Sequence, residues 1–446
     1  MYRNSRRRIT RLPRCWVLSV LWGLILFSPQ TAQGQPGDPS RDKAPSTSAK
    51  SLEWLVAPVV SYDSYLGPGF GAFANVARLD PARLPYRYRL SGQVFFNVAR
   101  APDGSLNSPY QHHYVLLDVP GLAAGRLRLN LDLRFRRQTS AGYYGLGNAS
   151  INERPEDNFD PETQPGLWAE ARRFHQFART FPSLRGTAQW ALSDRLRAFA
   201  ALGLAASWIT IYPGSRLSQD AENRDSGAGS PPLFGLSPHA LLDGSAGIVW
   251  DSRDDEFEPA RGAFADLSVR GGVGLPGPGT EPHFSYFGLN LTARGFTSLW
   301  QGGVTLAVRG RIDLLLGNPP LYALAEVGGL VPDRWATGGG TSLRGVLLQR
   351  YHAKIKLQAN LELRAGLARF RLFGRSSRLS MLGFVDLGRF FADWTPQPAL
   401  DGSGLGIKVA FGGGLRLRFG RTLIVRADVG VSADGMAAYV DIDHVF

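Results

Sequence analysis

The sequence predicts an all-β protein, a 16-stranded antiparallel transmembrane β-barrel that begins near residue 52. Three observations predict this fold. Apolar and polar residues alternate over long stretches, a segment typical of an export signal precedes them, and no later apolar segment is long enough for a spanning helix. Such a helix needs about 20 consecutive apolar residues. The single cysteine excludes a disulfide framework and a thiolate metal cluster.

The first 34 residues have the three parts of a secretory signal. Six arginines and no acid lie in the first 14 residues, and an apolar run follows from Trp16 to Phe27. The small residues Ala32 and Gly34 then occupy the two positions that a signal peptidase inspects. A transmembrane anchor is the alternative, but the apolar run is shorter than an anchor requires. We predict a cleaved signal peptide at 1–34 and a disordered, Pro- and Ser-rich lead-in at 35–51.

The net charge of +13 does not indicate a nucleic-acid partner. Without the six N-terminal arginines the chain carries 44 basic and 37 acidic residues. The remaining basic residues alternate along predicted strands and do not form an exposed patch, so we expect no nucleic-acid binding.

Strict alternation identifies the strands. From Leu127 to Phe135 every odd position is apolar and every even position is polar, and the same pattern recurs at 351–365. Over 423–431 the apolar odd positions alternate with Arg426, Asp428 and Gly430. Successive side chains of a strand point to opposite faces, so each strand has one apolar and one polar face. These strands are longer than the roughly 5–6 residues of an ordinary strand. They suit the roughly 9–11 residues that cross a bilayer at a tilt.

A closed barrel satisfies the backbone polar groups of such strands in lipid, because every N–H and C=O must pair internally there. The apolar face then meets lipid and the charged face meets a wet lumen. We expect aromatic girdles near the strand ends, formed by Trp54, Tyr62, Tyr65, Tyr86, Tyr88, Tyr110, Tyr114, Tyr143, Tyr144 and Trp300.

The pattern places strands, in order, near 53–66, 70–79, 86–99, 112–120, 126–138, 170–192, 195–210, 238–250, 262–273, 282–297, 302–316, 351–368, 378–392, 404–420, 421–433 and 437–446. Their connections are short at 81–85, 121–125 and 193–195, and long at 139–169, 211–237 and 317–350. Short turns at one end and long loops at the other are typical of bacterial outer-membrane barrels. The barrel occupies residues 52–446 and leaves no room for a second folded domain.

The long connection before the twelfth strand holds the strongest candidate site, the segment Gly-Gly-Gly-Thr-Ser-Leu-Arg-Gly at 338–345. A phosphate-binding loop is one interpretation, but the strand–GxxxxGK–helix context is missing. A flexible surface loop is the second. The third is a loop folded into the lumen, where Arg344 would need acid partners. Glu362 and Asp386 lie on polar faces of neighbouring strands, and their spacing permits both to pair with one guanidinium.

Other residues that often carry chemistry are weakly patterned. The acids between Trp250 and Gly262 could suit calcium, but their spacing does not match an EF-hand loop, so we favour a solvated turn. His112 and His113 point to opposite faces and cannot share one metal. No G-x-S-x-G elbow is present. We therefore expect no enzymatic activity, no metal and no cofactor.

Several motifs, taken in order, resemble those of the BamA/TamA superfamily of outer-membrane barrels, also called the bacterial surface antigen family. The resemblance covers residues 52–446, and Val346 replaces the aromatic residue usual after the Arg-Gly pair. The matching segments are 143–148, 250–259 with Gly262, 339–345, 360–364, 384–388 and the final Phe446.

This resemblance implies a 16-stranded barrel with a seam between its first and last strands. It implies that Arg344 and Gly345 of the sixth long loop contact Glu362 and Asp386, and that Phe446 is a C-terminal barrel signal. Family members usually carry periplasmic POTRA modules, whereas the roughly 17 residues between the signal and the barrel are too few for a domain of about 50 residues. The implied surroundings and partners are the lipid of a Gram-negative-type cell outer membrane, client outer-membrane proteins and a separate periplasmic receptor chain.

Two classes of function follow. The first, favoured by the resemblance, is outer-membrane protein assembly or translocation through the lateral seam. The second is a passive or anion-favouring pore, or a purely structural barrel. Arginines on the polar faces would favour anions in that pore, namely Arg128, Arg134, Arg136, Arg364, Arg416, Arg418 and Arg426.

Overall fold

A computed structural model of the chain describes residues 52–446 except 64–66, 81–82, 101–105, 161, 224–230, 277–283, 301–302, 335, 373–374, 420–422 and 443–444. The predicted signal peptide and lead-in lie outside the described residues. The described strands form one 16-stranded sheet in which each strand pairs antiparallel with its neighbours in chain order. The predicted fold class is therefore confirmed.

The strands are β1 (Leu52–Asp63), β2 (Gly67–Asp80), β3 (Arg83–Asn97), β4 (Tyr110–Leu122), β5 (Leu127–Gly142), β6 (Gln176–Ala191), β7 (Leu196–Ile211), β8 (His239–Asp251), β9 (Gly262–Pro276), β10 (Ser285–Leu299), β11 (Val304–Gly317), β12 (Ile355–Leu372), β13 (Arg375–Phe391), β14 (Lys408–Phe419), β15 (Leu423–Ser432) and β16 (Gly435–Ile442). A small ribbon pairs Ala99–Arg100 with Leu106–Asn107 between β3 and β4. Within the described part of the chain, no ladder joins β1 to β16.

The alternation of the sequence sorts the side chains of each strand. On β12, Leu357, Leu361 and Leu363 are 36–45% exposed, whereas Lys356 and Glu362 are fully buried. A soluble protein buries its apolar side chains, so this inverted arrangement suits a sheet with lipid outside and a polar interior.

Long connections gather at one end of the sheet and contain the helices α1 (Pro165–Ala171), α2 (Arg216–Asn223) and α3 (Pro398–Asp401). Short 3₁₀ turns lie at Pro155–Asn158 and Leu321–Ala325. Tyr143, Leu217 and Tyr322, from three of these connections, pack in one buried apolar cluster. No described helix has the length and apolar character needed to cross a membrane.

Some predicted boundaries are wrong because the alternating pattern continues where pairing stops. The sixth strand begins at Gln176, after the helix α1, which has Pro165 in its first turn. The twelfth and fourteenth strands begin four residues later than predicted, at Ile355 and Lys408, and the last strand ends at Ile442.

Two of the predicted girdle aromatics lie inside the protein. The buried Tyr86 hydroxyl donates to Asp118 at 2.5 Å, and the buried Tyr143 hydroxyl donates to Asp220 at 2.7 Å. By contrast, Trp54 and Trp300 are 45% and 74% exposed. Alternation cannot separate these cases, since an aromatic ring with a polar tip suits both an interface and a hydrogen-bonded interior.

Candidate functional site

The connection between β11 and β12, residues 318–354, enters the lumen and is called the sixth loop below. Donors on the barrel wall bond to its backbone carbonyls. Arg309 donates to Thr341 O at 2.9 Å, Asn360 to Ser342 O at 2.6 Å, and Arg426 to Gly340 O at 2.7 Å. A non-repetitive loop leaves its carbonyls without ladder partners, so these wall side chains supply the hydrogen bonds that the loop needs when buried.

Arg344, at the tip of this loop, has no exposed surface and is brought together with both predicted acids. Its Nη1 donates to Glu362 Oε1 at 2.6 Å. Its Nη2 and Nε donate to the two oxygens of Asp386, each at 2.9 Å, and its backbone N–H donates to Asp386 Oδ2 at 3.0 Å. The pairing with Asp386 is bidentate, which fixes both distance and orientation.

Neighbouring strands place the two acids side by side. Glu362 lies on β12 and Asp386 on β13, where Asp386 pairs with Asn360 in the ladder. Both carboxylates are fully buried, while Val385 beside Asp386 is 39% exposed on the outer face. Asp386 thus faces inward and Val385 outward, as the alternation predicts.

The site contains groups that the sequence argument did not assign to it. Asp428 on β15 lies 3.9 Å from Arg344 Nη1 and accepts hydrogen bonds from Arg416 at 2.7 Å and Arg426 at 3.2 Å. The ring of Phe384 lies 3.5 Å below the Arg344 guanidinium carbon. The alternation on β15 predicts that Asp428 points into the lumen. It does not predict that Asp428 lies at the same level of the barrel as Glu362.

Electrostatics hold Arg344 in its charged form. Burial by itself lowers the pKa of Arg344, but hydrogen bonds to Asp386 and the charges of Glu362 and Asp386 outweigh burial and raise the pKa above its ordinary value. A buried guanidinium without such partners would be strongly destabilising. We name the group of Arg344, Glu362, Asp386 and Asp428 the arginine lock.

Two glycines let the tip of the loop approach the wall. Gly345 has a φ of +97°, and a Cβ on Gly430 of β15 would lie 2.4 Å from Arg344 O. The Gly345 N–H donates to the Tyr439 hydroxyl on β16 at 3.1 Å, and Ser432 donates to Gly345 O at 2.7 Å. The tip therefore contacts the last two strands as well as the lock.

Val346, at the family's aromatic position, is 3% exposed and lies in an apolar cluster with Leu343 and Tyr351. Tyr351 stacks on Phe390 of β13, with ring centroids 4.5 Å apart. The smaller side chain of Val346 is thus accommodated because Tyr351 packs beside it.

Phe446 lies in the lumen rather than in the last strand. Its ring, 5% exposed, packs near Phe296, and its carbonyl accepts from Arg364 at 2.9 Å. Arg309 donates to Val445 O at 2.8 Å. The prediction that strand sixteen runs to 446 is wrong, because the ladder ends at Ile442 and both Val445 and Phe446 are buried against the wall.

The acid-rich turn between β8 and β9, residues 252–261, spans the lumen at the short-turn end. Arg418 on β14 pairs with Asp255 at 3.0 Å and with Glu258 at 3.2 Å, while Arg128 on β5 pairs with Glu256 at 3.1 Å. The interpretation as a merely solvated turn is incomplete, since arginines from distant strands hold these acids. The described residues contain no group of three or more acids, histidines or cysteines placed to hold a metal.

Arginine also lines a cavity of about 660 Å³ between this turn and the sixth loop. Ten arginines and five carboxylates border it, together with His112. The wall opposite the arginine lock is therefore rich in positive charge.

The family model of the Omp85 superfamily domain matches residues 202–437, more than half of the chain. No curated protein matches in sequence.

The solved structures that are similar to the chain include BamA and CdiB barrels. BamA from Haemophilus ducreyi lacking POTRA domains 1–3 is 14% identical, with a TM-score of 0.47, over 88% of this chain and 69% of that one. CdiB from Acinetobacter baumannii is 12% identical, with a TM-score of 0.46, over 88% of this chain and 59% of that one.

Proposed function

The chain belongs to the Omp85 superfamily, a family of outer-membrane barrels, and on that premise we propose that it takes part in outer-membrane protein assembly or translocation. The route is a lateral seam between β1 and β16. The carrying observation is that these two strands end the sheet, with no ladder between them in the described residues. The proposal needs no bond-making chemistry and no cofactor.

The last strand is the shortest of the sixteen strands among the described residues. Its ladder with β15 contains eight residue pairs, against seventeen between β12 and β13. Its eight residues are fewer than the roughly 9–11 that cross a bilayer. A short strand has fewer hydrogen bonds to lose on opening, and a short apolar belt favours local thinning of the bilayer.

The free edge of β1 would receive the client. Its twelve residues pair with β2 on one side only in the described residues. An unpaired edge offers a row of N–H and C=O groups that template an incoming strand by β-augmentation. Trp54, Val56 and Val60 on β1 are 45–53% exposed and would face lipid beside the client.

The arginine lock supports this proposal by holding the sixth loop against the strands in the last third of the sheet. Arg344 and Gly345 reach β12 through Glu362, β13 through Asp386 and β16 through Tyr439. In the proposal, the lock fixes β12–β15 as a rigid frame, so that movement is confined to the edge. Phe446 acts as the barrel signal of the unfolded chain and docks in the lumen after folding.

Reconstitution with a disulfide-locked seam tests the proposal. Cysteine pairs scanned between β1 and Met436–Val440 of β16 would close the edge, while a control pair at Val56 and Ala74, which face each other in the β1–β2 ladder, would leave it free. The assay is folding of a urea-unfolded outer-membrane barrel protein into liposomes, followed by protease resistance. We also propose a separate periplasmic receptor chain, and the folding assay is repeated with that chain added.

We expect the oxidised seam pair to abolish the acceleration of client folding and the control pair to leave it intact. Reduction should restore the locked variant. Acceleration that persists with the seam closed, or no acceleration with or without the receptor chain, would overturn the proposal. In that case, an ion conductance that the seam disulfide does not change would identify a passive pore.

A further inference from the structure

The cavity opposite the arginine lock contains positive charge that the protein leaves without partners. It measures about 660 Å³ and is bordered by twice as many arginines as carboxylates. Some of these arginines are paired in the usual way, such as Arg128 with Asp118 at 2.6 Å and Arg311 with Asp333 at 2.8 Å. The lining arginines that have no such partner determine which ligand the cavity can bind.

Three lining arginines have no hydrogen bond or ion pair within the described residues, namely Arg89, Arg294 and Arg334. Each instead lies over an aromatic ring. The guanidinium carbon is 5.6 Å from the ring centre of Phe257 for Arg89, 5.0 Å from that of Phe264 for Arg294, and 4.8 Å from that of Phe181 for Arg334.

Stacking on a ring fixes the plane of a guanidinium but leaves its N–H edge unsatisfied. The Nε of Arg294 is buried without a hydrogen-bond partner, as are the Nε atoms of its cavity neighbours Arg185 and Arg311. Unmade hydrogen bonds of buried charged groups are costly. Three arginines that line one cavity without a hydrogen bond or ion pair of their own therefore indicate a missing acceptor.

The arginines also come from different parts of the fold. Arg89 lies on β3, Arg294 on β10, and Arg334 on the sixth loop. The charges of Arg311 and Arg253 repel Arg294, while those of Asp266 and Asp251 attract it without forming an ion pair. The charge of Arg334 repels Arg179 and Arg185. A single compact anion with several oxygens relieves these repulsions better than a single carboxylate does.

We propose that this cavity binds a compact polyanion that carries phosphate groups, either a free polyphosphate or the phosphorylated headgroup of a lipid. Its volume lies within the roughly 300–1,000 Å³ typical of small-molecule sites. Phosphate oxygens match the guanidinium fork, and more than one phosphate is needed to meet three separated arginines. Because Arg334 belongs to the sixth loop, the bound anion joins that loop to the wall opposite the lock.

Binding is tested with the full barrel folded in an uncharged detergent. Inorganic tripolyphosphate is titrated calorimetrically in the first arm. In the second arm the micelles contain a diphosphorylated glucosamine lipid or its dephosphorylated form. The variants are Arg294→Gln and Arg89→Gln, and the control is Arg154→Gln, an arginine 57% exposed in the connection between β5 and β6 and outside the cavity.

We expect saturable binding that each cavity variant weakens about tenfold, as the loss of one charge-assisted contact implies, and that the control leaves unchanged. Binding of tripolyphosphate identifies a free polyphosphate as the source, and binding confined to the phosphorylated lipid identifies a headgroup. Absence of saturable binding in both arms overturns the inference, as does equal binding by cavity variants and control.

Two controls distinguish a loss of polyanion binding from a loss of folding or of the proposed function. Heat-modifiable electrophoresis shows whether each variant forms the barrel, and Arg334→Gln replaces either wall variant that does not. The seam-locked protein should bind the polyanion as well as the unlocked protein does. A failed insertion assay with intact polyanion binding therefore removes the proposed function and leaves this site standing.

Discussion

Arginines on two sides of the same lumen have opposite surroundings. In the arginine lock, Arg344 meets Glu362 and Asp386 at 2.6–2.9 Å and has no exposed surface. Across the lumen, Arg294 and Arg334 rest on aromatic rings and form no ion pair among the described residues. The difference shows that inward arginine alone does not define a role. Acids within ion-pairing distance turn it into a structural anchor, and an arginine without such an ion pair is available to a ligand.

The largest expected effect comes from removing the anchor. Arg344→Ala should lower the free energy of unfolding by about 3–5 kcal/mol, because Glu362 and Asp386 stay buried without their counter-charge. Urea titration in detergent, read by heat-modifiable electrophoresis, measures it. Arg294→Ala is the matched change on the other side and should cost much less, since it also relieves repulsion. Equal losses in the two variants would remove the distinction between the sides.

A second change tests how closely the loop tip must approach the wall. Gly430→Ala places a Cβ against Arg344 O and should lower the free energy of unfolding by about 1–3 kcal/mol through overpacking. The control is Gly186→Ala on β6, where no atom lies within 4 Å of the added Cβ. The same urea titration applies. A Gly430→Ala barrel as stable as the control would mean that the tip is held loosely.

The stability of the barrel should depend on pH through His352 of the sixth loop. Burial, reinforced by Lys356 and Arg350, lowers the pKa of His352 to about 3. The unfolded chain has a histidine pKa of about 6.5, so the folded state binds fewer protons between these values. Stability is therefore complete above pH 6.5 and is lost as the pH falls towards 3, by about 1.4 kcal/mol per pH unit.

His352→Phe should flatten this dependence between pH 7 and 5, where the wild-type barrel should lose about 2 kcal/mol through His352. His175 gives the same sign, since burial lowers its pKa to about 4. Unfolding midpoints across this range provide the measurement. Parallel pH curves for variant and wild type would show that His352 is solvated.

The smallest effect belongs to the acid-rich turn. Glu258→Gln removes a partly exposed ion pair with Arg418 at 3.2 Å and should change the free energy of unfolding by less than about 1 kcal/mol. High salt should erase the change. Glu162→Gln, an exposed acid in a long loop, is the control. A loss comparable with that of Arg344→Ala would place a second anchor at this end.

Much of the fold was predictable because alternation is a local signal. All sixteen strands and the inward orientation of Glu362 and Asp386 follow from the period of two, which needs no knowledge of distant residues. The same signal placed Asp428 on an inward face without revealing that it joins the lock. Boundaries were less predictable, as at Gln176 and Ile442, because pairing ends where a partner strand ends.

The sequence by itself determined the strands, their faces and a loop arginine that requires acids. The tertiary structure alone decided which inward groups share a level, that Phe446 turns into the lumen, and that Asp255 reaches Arg418, 163 residues away. The physical reason is that faces depend on the geometry of one strand, whereas contacts across a lumen depend on the register and curvature of all sixteen together.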